Sequence, residues 1–211
     1  YISSPHLDDV QCAYASVKAL LEGGHRDSIS VCSVFDNEEV GSGTKQGAAS
    51  GFLKDTLARI ADSLGKDAED FRRMLAESFM ISADNAHAAH PNHMDKADPT
   101  NRPYMNEGIV IKYNANQRYT TDAVSAAVFQ EICRRAEVPV QSYVNRSDVP
   151  GGSTLGNIAS HQVSINMVDI GLAQLAMHSP YETGSAKDTD YMIQAMKTFF
   201  ETSVRQTEDG Y

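Results

Sequence analysis

Three carboxylates stand within four residues at Asp36-Asn37-Glu38-Glu39, directly after the apolar run "SISVCSVF". Carboxylates held close together and shielded from water repel one another and resist ionising together. Such a group therefore lies in a solvated turn or has a cation between its members. The same placement recurs: Asp8 follows "ISSPHL", Asp84 follows "MISA", Asp148 follows "YVN" and His178 follows "LAQLAM". Taken singly, an acid after a strand is more often a turn or helix-cap residue. Taken together, acids and an imidazole at several strand ends read as a metal site, because open α/β sheets bind ligands outside the carboxyl ends of their strands. Hard divalent ions take carboxylate oxygens, and a mixed oxygen and imidazole set suits zinc, manganese or cobalt. One carboxylate can bridge two ions spaced ~3.5–4 Å, a pair that activates water and steadies the oxyanion formed from an attacked carbonyl. Two adjacent glutamates can divide the labour, one as ligand and one as proton acceptor.

The elements that must carry these residues follow from periodicity. Helical spacing runs from Val10 to the Gly23-Gly24 stop, from Gly47 to Leu64, from Ala68 to Glu77, from about Thr121 or Asp122 through "AVSAAVFQEICRRAEV", and from Asp188 to Val204. Strands are expected at Ser28–Phe35, "SFMISA", Gly108–Asn114, "VPVQSYV" and "VSINMVDIG". Alternating strands and helices predict an α/β layered domain with a parallel or mixed sheet. The Met192, Ile193, Met196, Phe199 and Phe200 stripe reads as core. "GTKQGAASG" and "DVPGGSTLGN" read as Gly-rich turns. The segment "GGSTLGN" lacks both the P-loop lysine and GxGxxG, so it reads as a turn that lets substrate lie against the backbone at Gly152 and Thr154. His87, His90 and His93 offer imidazoles, with His87 nearest Asp84, although Pro91 interrupts any helix there. Lys112 sits on an apolar strand, where most lysines lie at an edge and reach water. No GxSxG elbow supports serine chemistry.

The 211 residues, 41% hydrophobic, suffice for one sizeable domain. A net charge of −10 argues against nucleic acid or an anionic membrane as partner. Three widely spaced cysteines suit a reducing compartment, and with no leader or long apolar span the expectation is a cytoplasmic protein. The opening "YISSPHLDD" reads as mid-domain sequence.

"SSPHLDD", "DNEEVGS", "SADNAHAAHPNH", "IKYNANQRYTTD", "GGSTLGN" and "QLAMHSPYE", in that order, closely resemble the aspartyl aminopeptidase family of two-metal aminopeptidases. The resemblance implies a layered α/β/α catalytic domain around a central mixed sheet, two divalent ions, a peptide substrate with an acidic N-terminal residue, and assembly of dimers into a homododecamer. It makes Asp8 the bridging ligand, Glu38 the catalytic base, Glu39 and His178 ligands of one ion and Asp84 a ligand of the other. His87 and Lys112 match substrate-pocket positions. The family's early His-x-Asp ligand and its inserted dimerisation domain lie upstream of everything present. Residues 1–211 are therefore expected to form the C-terminal portion of the catalytic domain, incomplete at its N-terminus and with one ion's ligand set short. The alternatives are another two-metal amidohydrolase, such as an acyl-amino-acid deacylase, or an inactive assembly fragment.

Overall fold

The computed structural model describes residues 1–24 and 27–205. Its centre is a four-stranded mixed sheet in the order β2 (Phe79–Ala83), β6 (Asn166–Gly171), β4 (Ile109–Tyr113), β5 (Val140–Val144). β2 runs parallel to β6 and β4 parallel to β5, while β4 and β6 are antiparallel. Ile109, Val110 and Ile111 are all fully buried, the unbroken apolar run of a strand covered on both faces.

Side-chain alternation sorts the two faces. Ile109, Ile111, Val168 and Ile170 meet α1 (Leu7–Glu22), α4 (Ala123–Arg135) and α6 (Ala186–Phe200) in the main core, around a fully buried Phe129. Small residues of α1, Cys12, Ala15 and Ala19, let it lie close against Met192, Ala195 and Met196 of α6. The opposite face carries α5 (Leu155–Ser160), whose Gly156 lies so close to Ser82 and Asp169 that a Cβ would sit 2.6 Å from each side chain. Buried Asp169 ties this face together by accepting from Ser82, Thr154 and both the amide and hydroxyl of Thr120. α2 (Phe52–Ser63) and α3 (Ala68–Ala76) pack on each other. Two small ladders continue from the sheet's ends: β3 (Ala86–His87) with β7 (Ala173–Gln174), and β1 (Ile2–Ser4) with β8 (Glu182–Gly184). Among the described residues no helix is long and apolar enough to cross a membrane.

Four expectations change. Ser28–Phe35 joins no ladder, because β2, the open edge of the sheet, lies across a cavity from it. The helix expected from Gly47 begins at Phe52. Residues 41–51 instead form turns, tight enough that a Cβ on Gly47 would lie 2.2 Å from the Ser42 carbonyl. The Gly-rich "DVPGGSTLGN" turn leads directly into α5, with Thr154 at its cap. Lys112 is at 3% exposure on interior strand β4 and does not reach water.

Candidate metal centre

Asp8 lies just after β1, where the Asp8 and Asp9 backbone is not helical; regular α1 geometry starts at Val10. Glu38 and Glu39 sit in a single 3-10 turn (Glu38–Val40) entered through a left-handed Asn37 and left through Gly41, which donates back to the Glu38 carbonyl. Asp84 directly follows β2, its amide bonded to the Ile170 carbonyl. His178 follows β7 with a left-handed backbone of φ 67°.

Asp8, Glu39, Asp84 and His178 converge. His178 Nε2 is 3.2 Å from Asp8 Oδ2 and 3.1 Å from Glu39 Oε2. Ligand atoms of Asp8, Glu39 and His178 lie within 4.8 Å of one another, and so do those of Asp8, Asp9 and Asp84. Asp8 belongs to both groups. Its second oxygen, Oδ1, is buried without a hydrogen-bond partner, as is Oδ1 of Asp9. Tetrahedral bonds of ~2.0–2.1 Å set neighbouring ligand atoms roughly 3.3–3.4 Å apart, close to the spacing found around His178. The orphaned oxygens, the spacing and the mixed donor set all fit a divalent cation such as zinc.

The electrostatics show how strongly the acids are forced together. Burial and the neighbouring Asp84, Asp9 and Glu39 push the Asp8 carboxyl up to about 9. Burial and Asp84 likewise raise Asp9 well above the carboxylate range. Glu38 rises to about 7 through partial burial, then Asp84 and Glu39, with Lys112 and His178 opposing. The one buried cation is Lys112 among the described residues; its Nζ is 3.1 Å from Asp84 Oδ2 and donates to the Asn85 carbonyl at 2.7 Å. Burial disfavours that ammonium, but Asp84, Tyr119 and Asp169 outweigh it and keep it charged.

His87 is exposed on β3, and burial of part of its surroundings, Lys112 and His178 lower its proton affinity. Thr154 is buried with its hydroxyl committed to Asp169, and Gly152 is exposed with open space where a Cβ would be. Asp148 pairs with Arg146 on the surface, the ordinary fate of an acid after a strand. The histidine run forms no helix: Ala86–His87 is a strand, and the His90 and His93 rings lie 5.0 Å apart, tilted by 45°.

Sequence reasoning overlooked three residues. Asp9 directly follows the recognised Asp8. Buried Glu182 accepts the Asp8 amide at 2.9 Å and the His178 amide at 2.8 Å, fixing both backbones with one carboxylate. Its place four residues after His178 was the available signal. Buried Asn85 joins the Leu7 carbonyl, Gln11 and Gln174, and its own carbonyl receives Lys112.

A family profile described as aminopeptidase I zinc metalloprotease (M18) matches residues 1–200. The chain belongs to the M18 peptidase family. It is 50% identical over 200 residues to a probable M18 family aminopeptidase 2 of Clostridium acetobutylicum, a match spanning 95% of this chain and 46% of that protein. It is 41% identical over 208 residues to a probable aspartyl aminopeptidase of Ricinus communis, spanning 95% of this chain and 42% of that one. Among solved M18-like structures, a chain of the Ape4 and Nbr1 complex superposes with a TM-score of 0.89 at 39% identity, covering 94% of this chain and 39% of that one. The S. cerevisiae mApe1 dodecamer superposes at 0.83 and 30% identity, covering 95% of this chain and 46% of that one. The M18 chain thus spans less than half the length of these relatives.

Proposed function

We propose that the 211 residues are the C-terminal portion of a metallo-aminopeptidase catalytic domain that removes N-terminal residues, preferentially Asp or Glu, from peptides. The observation that carries this reading is that Asp8 is shared by two groups of ligand atoms, the arrangement a carboxylate bridging two ions would need. Asp8, Glu39 and His178 would hold one ion, and Asp8 and Asp84 part of the set for the second. When bound, zinc supplies Lewis acidity that polarises the scissile carbonyl and lowers the pKa of water.

The chain's own groups supply the rest. Glu38, with a carboxyl near 7 and no ligand atom in either group, is poised to accept a proton from the attacking water and pass it to the leaving amine. Lys112 pairs with Asp84 at 3.1 Å in a crowd of acids, and Glu182 holds the Asp8 and His178 backbones in place. The acidic preference is supported by the name of the Ricinus relative. The Lys112 ammonium is already engaged by Asp84, and exposed His87 offers an imidazole N–H to an acidic side chain. Assembly into a dodecamer is part of this proposal by analogy with the yeast dodecamer, and a cytoplasmic location by the three free cysteines.

The test compares Asp-, Glu- and Leu-p-nitroanilides with Nα-acetyl-Asp-p-nitroanilide on the full-length, zinc-loaded protein. Turnover of the acidic substrates and none of the acetylated one is expected. Release of acetate from Nα-acetyl-Asp, with no nitroaniline released from the free-amine substrates, would establish the deacylase instead.

A further inference from the structure

The peptide group joining Leu7 to Asp8 is gripped at both ends by side chains from elsewhere in the fold. Its N–H donates to Glu182 Oε2 at 2.9 Å, and its carbonyl accepts from Asn85 Nδ2 at 3.0 Å. A peptide is planar, so a hold on both ends fixes the plane and the direction in which Asp8 leaves it. The backbone at Asp8 and Asp9 is not helical, so the regular ladder of α1 does not supply that hold.

Each grip belongs to a different half of the metal centre. Glu182 uses its other oxygen, Oε1, to accept the His178 amide at 2.8 Å. Asn85 directly follows Asp84, and its carbonyl receives Lys112 Nζ, which also pairs with Asp84. The Asn85 amide has two hydrogens and three oxygens within reach: Gln174 Oε1 at 2.7 Å, the Leu7 carbonyl at 3.0 Å and Gln11 Oε1 at 3.3 Å. Its own oxygen accepts from the Cys12 thiol at 2.9 Å, so turning the amide over would set oxygen against oxygen. Asn85, Gln174 and Glu182 are each at 2% exposure or less, where water does not compete for these bonds.

We propose that Asn85 and Glu182 are positioning residues that act together through the Leu7–Asp8 peptide, setting the Asp8 carboxylate where both ligand groups can share it. Neither belongs to either group of ligand atoms. Release of the carbonyl by Asn85 should loosen the Asp8 amide at the other end, although that amide's own partner is Glu182. Independent packing roles would not couple the two ends. The inference rests on the metal-centre reading and not on the choice of substrate.

Asn85→Leu keeps a side chain of similar size and removes the donor. Asn85→Ser withdraws the donor instead, and serves where the leucine variant does not fold. Amide exchange of the metal-free 211-residue chain, followed by NMR, is expected to speed up on the order of tenfold or more at Asp8 and to change little at His178. Phe129→Leu in the main core is the control for general loosening and should move the two rates together. Zinc affinity, measured by chelator competition, is expected to fall about 10–100-fold in the Asn85 variants and to hold within a few-fold in F129L. Glu182→Gln leaves one acceptor oxygen for two amides, so it should lower affinity too. The N85L/E182Q double variant should then lose less than the two single losses added. Equal acceleration at Asp8 and His178, or strictly additive losses, would overturn the proposal. A wild-type chain that binds no zinc would overturn the metal-centre reading and this proposal with it, whereas zinc binding that N85L leaves unchanged would overturn the proposal alone.

Discussion

Neighbouring glutamates at 38 and 39 are given different work by a single turn. Glu39 faces His178 at 3.1 Å, whereas Glu38 belongs to neither ligand group and carries a carboxyl near 7. Glu38→Gln is expected to keep zinc affinity within a few-fold and lower kcat in the full-length enzyme by about 10²–10⁴, the usual effect of losing a general base. Glu39→Gln is expected to lose zinc. Metal analysis beside steady-state kinetics checks both, and the reverse pattern would exchange the two assignments. The crowding of acids also sets a pH dependence. The Asp8 and Glu38 carboxyls are raised in the folded state, so the metal-free folded chain binds more protons than the unfolded chain between their ordinary range and about 9 and 7 respectively. Stability from these groups is therefore present in acid and lost as pH rises through those values. Urea titrations of metal-free protein from pH 5 to 9 should show this decline, Asp8→Asn should flatten it, and zinc should restore stability at pH 8. A metal-free profile whose slope D8N leaves unchanged would contradict the assignment. At this scale much of the site was legible: acids and an imidazole after apolar runs betray a shared strand end, and motif order narrowed the rest. Asn85 and the hold of Glu182 on the Asp8 amide were not, because those partners come from distant segments.

Elements fare differently according to where their partners lie. α3 and α4 carry capping boxes at Asp67 and Asp122, local signals that a sequence states outright, and the sequence boundaries match the structure to within a few residues. β2, β4, β5 and β6 are equally plain as apolar runs. Ser28–Phe35 carries the same signal and forms no ladder, because a ladder requires a neighbour that the pattern of one segment cannot supply. Lys112 shows the converse: its burial depends on Asp84 and Asn85, brought to it from another strand's end. Close approach at that same end gives a sharp prediction. A Cβ on Gly171 would lie 2.0 Å from the Asp84 carbonyl oxygen, a backbone atom with no room to yield. Gly171→Ala should destabilise the chain by about 1–3 kcal/mol, as overpacking does, and displace Asp84 from Lys112. Denaturant unfolding measures the first effect, and unchanged stability would show that β6 and the Asp84 turn separate more freely than the structure implies.

Across the whole molecule, the sheet, the layers and the acidic cluster form one argument. Parallel strands β2 and β6 end beside the cluster, short ladders β1–β8 and β3–β7 carry Asp8 and His178 there, and the Asp8 side chain is buried while Glu39 and His178 stay open to solvent. The two ligand groups are unequal. One has an imidazole and two carboxylates; the other has carboxylates alone, with the Lys112 ammonium 3.1 Å from one of them. The 211-residue chain by itself should therefore hold at most one zinc ion tightly. The most direct measurement is the anomalous scattering of zinc in crystals of this chain equilibrated with a slight excess of the metal. The account predicts one strong peak ~2.0–2.2 Å from His178 Nε2 and from oxygens of Asp8 and Glu39, with any second peak beside Asp9 and Asp84 much weaker. A strong peak elsewhere, or none within reach of His178 and Asp8 together, would contradict it.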